Sequence, residues 1–266
     1  MRIKQCFEKL EAMQRKALIP YITAGDPHPN HTVTIMRELV ASGGDIIELG
    51  FPFSDPMADG PVIAEAHGRA LSHGVTLLDV FAMVARFRET DNVTPVVLMG
   101  YLNPIEMMGY GEFAERARAA GVDGVLVVDL PPEAAGRLKD VLAHCRLDII
   151  NLIAPTTPDQ RIEKICAIAS GYLYYVSLKG VTGSANLDVD AVSKRVKHIK
   201  RFTDLPVGVG FGIRDGQTAA TIGKIADGVV VGSVLVSALA EYADKGDAVI
   251  SQAARALAEM RTAMDT

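Results

Sequence analysis

Short apolar runs recur along the whole chain, at Leu18–Thr23, Ile46–Leu49, Val96–Met99, Val125–Val128, Ile149–Ile153, Leu173–Val176, Val207–Val209 and Val229–Val231. Most are continuous rather than alternating, the pattern of strands buried on both faces. Between them the apolar spacing turns helical. Val33, Met36 and Val40 share one face, as do Val80, Phe81, Val84 and Phe87, and Val192, Val196 and Ile199. Thr157-Pro158-Asp159-Gln160 predicts a helix start with an N-cap, Pro at the first position and a capping-box Gln. Gly43, Gly74, Gly121 and Gly171 stand where helices need a C-cap.

Strand starts follow one another at βα-unit spacing, except between Ile46 and Val96, where an extra loop and helix are expected over 51–74. Eight such units in 266 residues predict a (β/α)8 TIM barrel, of the phosphate-binding type, as one domain over 1–266. An open doubly wound sheet is the competitor. It wants GxGxxG after the first strand, and Thr23-Ala24-Gly25-Asp26-Pro27 does not supply it.

Composition narrows the function classes. The chain is 49% hydrophobic and 22% charged, which excludes disorder, and its formal charge of −5 offers no basic face for nucleic acid. The longest apolar stretch, Val229–Ala240, falls short of the roughly 20 residues of a membrane span. The N-terminus shows no apolar h-region, so a cytoplasmic protein is expected. Cys6, Cys145 and Cys166 form neither a disulfide framework nor a CxxC pair. The six histidines show no metal-ligand spacing, so no metal is expected.

Within that frame a few residues are out of place. Glu48 interrupts the apolar second strand. It is either a structural carboxylate held by neighbours or a general acid/base at the barrel's catalytic end, where partial desolvation raises its pKa. The following loop, Phe51–Pro61, is stiffened by three prolines and carries two acids, Asp55 and Asp59. Asp59 precedes Gly60-Pro61 and suits a helix cap. Paired with Glu48, it suits stabilisation of a developing cation. Glycine-rich turns follow strands 6, 7 and 8, at Gly180–Gly183, Gly210–Gly212 and Gly232-Ser233, where barrels commonly hold phosphate. Tyr172 and Tyr174 face the same side of strand 6. Core packing is the usual reading for both, and Tyr174 is the candidate to turn its hydroxyl toward Glu48.

The segment Ile47–Pro61, reading IELGFPFSDPMADGP, strongly resembles the signature loop of the tryptophan synthase alpha chain family. So do Tyr21–Pro27, Gly180–Gly183, Gly210–Ile213 and Gly232-Ser233, in the family's order and across nearly the whole chain. The resemblance implies retro-aldol cleavage of indole-3-glycerol phosphate to indole and glyceraldehyde 3-phosphate. It implies Glu48 as general acid/base, Asp59 as the acceptor of the indole N–H, and Tyr174 as an orienting group. Gly183, Gly212, Gly232 and Ser233 would hold the phosphate, Tyr21, Met99 and Phe211 would enclose the indole, and Thr182 would belong to a lid. No cofactor is implied in this chain. The implied partner is a beta chain carrying pyridoxal phosphate (PLP), in an αββα assembly, faced by Asp55, Asn103 and Pro104. The sequence departs from the family's usual pattern at Tyr21, Ala64, His67 and Leu178-Lys179.

Three other readings compete. A phosphoribosylanthranilate isomerase-like barrel wants a cysteine at a strand end, and none of the three lies at one. A non-catalytic phosphate-binding barrel that regulates a partner has no need of both Glu48 and Asp59. A free-standing lyase would share the chemistry without the partner.

Overall fold

A computed structural model describes residues 1–177, 188–210 and 212–266. Eight parallel strands close into a barrel in sequence order: β1 (Ala17–Thr23), β2 (Ile47–Gly50), β3 (Val96–Gly100), β4 (Gly124–Val127), β5 (Asp148–Ile153), β6 (Leu173–Val176), β7 (Val207–Gly210) and β8 (Gly228–Val231). The final pairing of β8 with β1 runs from Gly228 opposite Ala17 to Val231 opposite Pro20. Each apolar run of the sequence is one of these strands, to within a residue or so at the ends.

Alternation within the strands divides the core in two. Ile47, Leu49, Val96, Leu98, Val207 and Val209 point outward into the layer shared with the helices. Ile19, Val97, Leu126, Ile150, Tyr174 and Val230 fill the barrel interior.

The helix Arg2–Ala12, which the strand pattern does not announce, belongs to that interior layer. Its Ile3, Phe7 and Leu10 recur at helical spacing, are all buried, and close the N-terminal end of the barrel. The closing helix of the chain, Ala248–Met264, carries a second tie. Its Arg261 donates to the Lys16 carbonyl at 3.0 Å and reaches Asp45 at 3.3 Å, linking the end of the chain to its beginning.

The extra helix after β2 is Pro61–Ser72, with Pro at its first position, and Leu77–Arg88 follows behind a Thr76/Asp79 capping box. Gly43, Gly74 and Gly121 take positive φ at or just past helix ends, as the pattern requires. Two local expectations are corrected. Thr157 does not cap the helix Asp159–Ile168; its hydroxyl accepts the Ala154 N–H and closes the preceding turn, so Pro158 takes the cap position. Gly171 lies two residues beyond that helix's C-cap, Ala169, and its positive φ serves the entry to β6, where it packs beside Asp148. Among the described residues no single helix is long and apolar enough to cross a membrane.

Candidate active site

Glu48 is the second residue of β2, level with Tyr21 of β1 and Val97 of β3, so its side chain points into the barrel one layer below the strand ends. It is completely buried. Its Oε1 accepts a hydrogen bond from the Tyr172 hydroxyl, and its Oε2 is buried with no hydrogen-bond partner among the described residues. Burial pushes the Glu48 carboxyl up from 4.5 to about 7, against the Tyr172 hydrogen bond, which favours the ionised form. Tyr172 is fully buried too, its ring 5.8 Å from that of Phe7 in the helix closing the barrel floor.

Asp59 hangs over the same space from the loop after β2. Its Oδ2 accepts from the Tyr101 hydroxyl at 2.7 Å and faces Nε2 of His67 at 3.6 Å. Tyr101, just past the end of β3, also accepts the Ala58 N–H at 3.0 Å, and its ring stacks on Phe53 at 5.2 Å. His67 accepts the Phe53 N–H on Nδ1 at 2.9 Å. Both ends of the loop are therefore fastened, one to the helix Pro61–Ser72 and one to the end of β3. Desolvation raises the Asp59 pKa, opposed by the Tyr101 hydrogen bond and His67. The capping role does not apply: Gly60 is the N-cap residue, and no side chain caps that helix.

Glu48 and Asp59 line one cavity of about 440 Å³. Tyr21 and Met99 form part of its apolar wall, and Gly212, Gly232, Ser233 and Arg214 lie at another part of the lining. Gly232 directly precedes the helix Ser233–Ala240, whose first N–H groups lack partners within the helix and suit an anion. A second cavity of about 520 Å³ shares Asp59, Met99 and Tyr174 with the first and extends over Val128 and Leu152. Among the described residues neither lining contains a lysine, so no imine-forming amine stands in either.

Glycines at two strand ends make room for the aromatic walls. A Cβ on Gly50 would lie 2.2 Å from the Tyr21 hydroxyl oxygen, and one on Gly210 would lie 2.1 Å from that of Tyr174. Tyr21 also shares a hydrogen bond with Thr23 at 3.2 Å. The hydroxyl bonded to Glu48 is thus that of Tyr172, while Tyr174 stands one layer higher, over Gly210 and against both cavities.

The structure thus brings together Glu48, Asp59, Tyr174, Tyr21, Met99, Gly212, Gly232 and Ser233. Phe211, Thr182, Gly183 and the Leu178-Lys179 pair lie outside the described residues. Asp55 and Asn103 are exposed on the surface and Pro104 is half-buried, in the loop and the helix Leu102–Met108 that Tyr101 joins. Sequence reading missed Tyr172, Tyr101 and His67 as partners of the carboxylates. The signals were present: Tyr172 shares a strand face with Tyr174, and His67 follows the cavity-lining Ile63 by four residues on one helical face. Among the described residues no cluster of three or more His, Cys, Asp or Glu could hold a metal ion.

The sequence profile of the tryptophan synthase alpha chain matches residues 7–265. The alpha chain of Marinobacter nauticus is 58% identical over 265 residues, covering 100% of this chain and 98% of its own. That of Thioalkalivibrio sulfidiphilus is 59% identical over 264 residues, covering 99% of each. Among solved structures, tryptophan synthase subunit alpha from Legionella pneumophila superposes with a TM-score of 0.93 at 45% identity, covering 99% of this chain and 98% of its own. The tryptophan synthase complex from Pyrococcus furiosus gives 0.82 at 37% identity, covering 92% and 98%. With the predicted barrel formed and a match that runs almost from end to end, the chain belongs to the tryptophan synthase alpha chain family.

Proposed function

We propose that this chain cleaves indole-3-glycerol phosphate with Glu48 and Asp59 as its two working carboxylates. The observation that carries the reading is their meeting at one cavity, Glu48 poised near neutrality by burial and Asp59 accepting from the Tyr101 hydroxyl. Glu48 in its acid form protonates C3 of the indole ring. The ring becomes a cation and an electron sink, so the bond from C3 to the side chain breaks without an imine. The side-chain hydroxyl gives up its proton as the aldehyde forms, and the Glu48 carboxylate takes it. The proton count closes to zero. Asp59 accepts the ring N–H and stabilises the transient positive charge, and Tyr174 orients the reacting groups.

The phosphate is held at Gly212, Gly232 and Ser233 together with Gly183, and the indole lies against Tyr21, Met99 and Phe211. The reaction is that of a cytoplasmic enzyme working with a beta chain, in an αββα assembly in which PLP resides in the beta chain and consumes the indole. Asp55, Asn103 and Pro104 face that partner. Exposed methionines at the same surface, Met57 at 89% and Met107 at 81%, support an interface there.

The test is indole release from indole-3-glycerol phosphate by the purified chain, alone and with a beta chain. Release that rises with the beta chain is the expected result, and equal release under both conditions makes it a free-standing lyase. No release under either condition overturns the reading.

A further inference from the structure

His67 has no part in the chemistry assigned above, yet it is only 2% exposed and is engaged on both ring nitrogens. Nδ1 accepts the Phe53 N–H at 2.9 Å, which leaves the ring proton on Nε2. That Nε2–H faces Asp59 Oδ2 at 3.6 Å, an electrostatic contact longer than a hydrogen bond. Tyr101, the direct donor to the same oxygen, packs edge-on to the imidazole at 6.4 Å and 75°. A second proton on the ring would have to displace the Phe53 N–H from Nδ1. Desolvation also lowers the His67 pKa, against the pull of Asp59. The contact therefore joins a carboxylate to a neutral imidazole and is not an ion pair.

We infer that His67 is a positioning residue that steadies Asp59 Oδ2 through the electrostatic contact of a neutral imidazole N–H, leaving Oδ1 and the undiminished negative charge of Asp59 to meet the cationic ring. Among the described residues Oδ1 has no hydrogen bond of its own, while Oδ2 has both neighbours. A charged donor at the His67 position would cancel the charge that the indolium needs, and an apolar side chain would let the carboxylate rotate. The same ring ties the loop backbone at Phe53 to the helix Pro61–Ser72, so the loop and its carboxylate are aligned by one side chain. This rests on the role proposed for Asp59.

Three substitutions separate positioning from mere packing, read as steady-state indole release from indole-3-glycerol phosphate. His67→Leu removes both polar contacts and is expected to lower kcat by roughly tenfold to 100-fold with a much smaller change in KM, the sign of an interaction used in the transition state. Affinity for glyceraldehyde 3-phosphate, measured by calorimetry, is expected to stay at the wild-type value. His67→Gln places an amide N–H near the Nε2 position, and His67→Asn places an acceptor near the Nδ1 position. The Gln variant is expected to keep more of kcat than the Asn variant. A wild-type kcat in a folded His67→Leu protein, or the reverse order of Gln and Asn, overturns the inference. If His67→Leu does not fold by circular dichroism, the Gln and Asn order decides alone. A wild-type enzyme without turnover would instead remove the lyase reading itself, so the two failures are distinct.

Discussion

The Tyr172 hydroxyl donates to Glu48 from beneath, and together the two residues carry the polarity of the barrel interior down to the Phe7 layer. A lone carboxylate at this depth is costly, and Glu48 has only that one hydrogen-bond donor among the described residues. The site thus holds a carboxyl whose ionised form is under-supported, which is what keeps its proton available near neutral pH.

Replacing Glu48 by Gln should therefore trade activity for stability in a pH-dependent way. The folded carboxyl is raised from 4.5 to about 7, so its burden on stability is absent below the unfolded value and complete above the folded one. The cost there is up to about 3 kcal/mol. Glu48→Gln is expected to abolish indole release, bind a substrate analogue as before, and resist urea better than wild type at pH 8.5, with little gain at pH 4. An equal gain at both pH values would show that the carboxyl is not raised, and retained turnover would remove Glu48 from its role.

Tyr172→Phe should move the same equilibrium further. Loss of the O–H donor removes the group that favours the carboxylate, so the Glu48 pKa rises above its already raised value. A 13C NMR titration of the labelled side chain reads this directly. The stability loss, about 1–3 kcal/mol for a buried acceptor losing its donor, is expected mainly at pH values where Glu48 is ionised. A titration unchanged or shifted downward contradicts the assignment.

Asp59→Asn removes the charge while keeping the shape. The Asn side chain still accepts from Tyr101, so the loop should stay in place. Indole release is expected to fall by about 10²–10³ in kcat, the scale of losing one preorganised electrostatic partner. A variant within twofold of wild type would show that the ring cation is stabilised elsewhere.

Gly210→Ala tests the wall behind Tyr174. The new Cβ would overlap the buried phenol ring, which can only yield toward the cavity. Overpacking of this kind costs about 1–3 kcal/mol, to be read as a lower urea midpoint. kcat/KM should fall as Tyr174 intrudes, and an unchanged kcat/KM would argue that Tyr174 does not bound the substrate space.

The sequence made the barrel legible because burial on both faces leaves continuous apolar runs, and every one of the eight became a strand. Glu48 and Asp59 were legible for the opposite reason, as acids where apolar or turn residues are the rule. The helix Arg2–Ala12 was not, since its three core contacts sit among charged neighbours and look like a solvated face. Tyr172, Tyr101 and His67 escaped as carboxylate partners because nothing in their own segments names the acid each one meets. Only closure of the barrel sets Tyr172 against Glu48, 124 residues away, and only the return of the loop sets Tyr101 against Asp59, 42 residues away. Such partners depend on circumference and loop path, which residue spacing along the chain does not encode.

Among the described residues Ile3, Phe7 and Leu10 plug the N-terminal end of the barrel beneath Tyr172 and Glu48, and the cavity that Glu48 lines lies on the other side of it. Glu48 lines the cavity at that side, the same space the substrate would fill. On the role proposed for Glu48, a substrate that fills this cavity stoppers it, and the proton spent on the ring is recovered from that same molecule. Loosening the floor, as at Phe7, would open a back entrance and let bulk water compete for a proton that the closed barrel recycles.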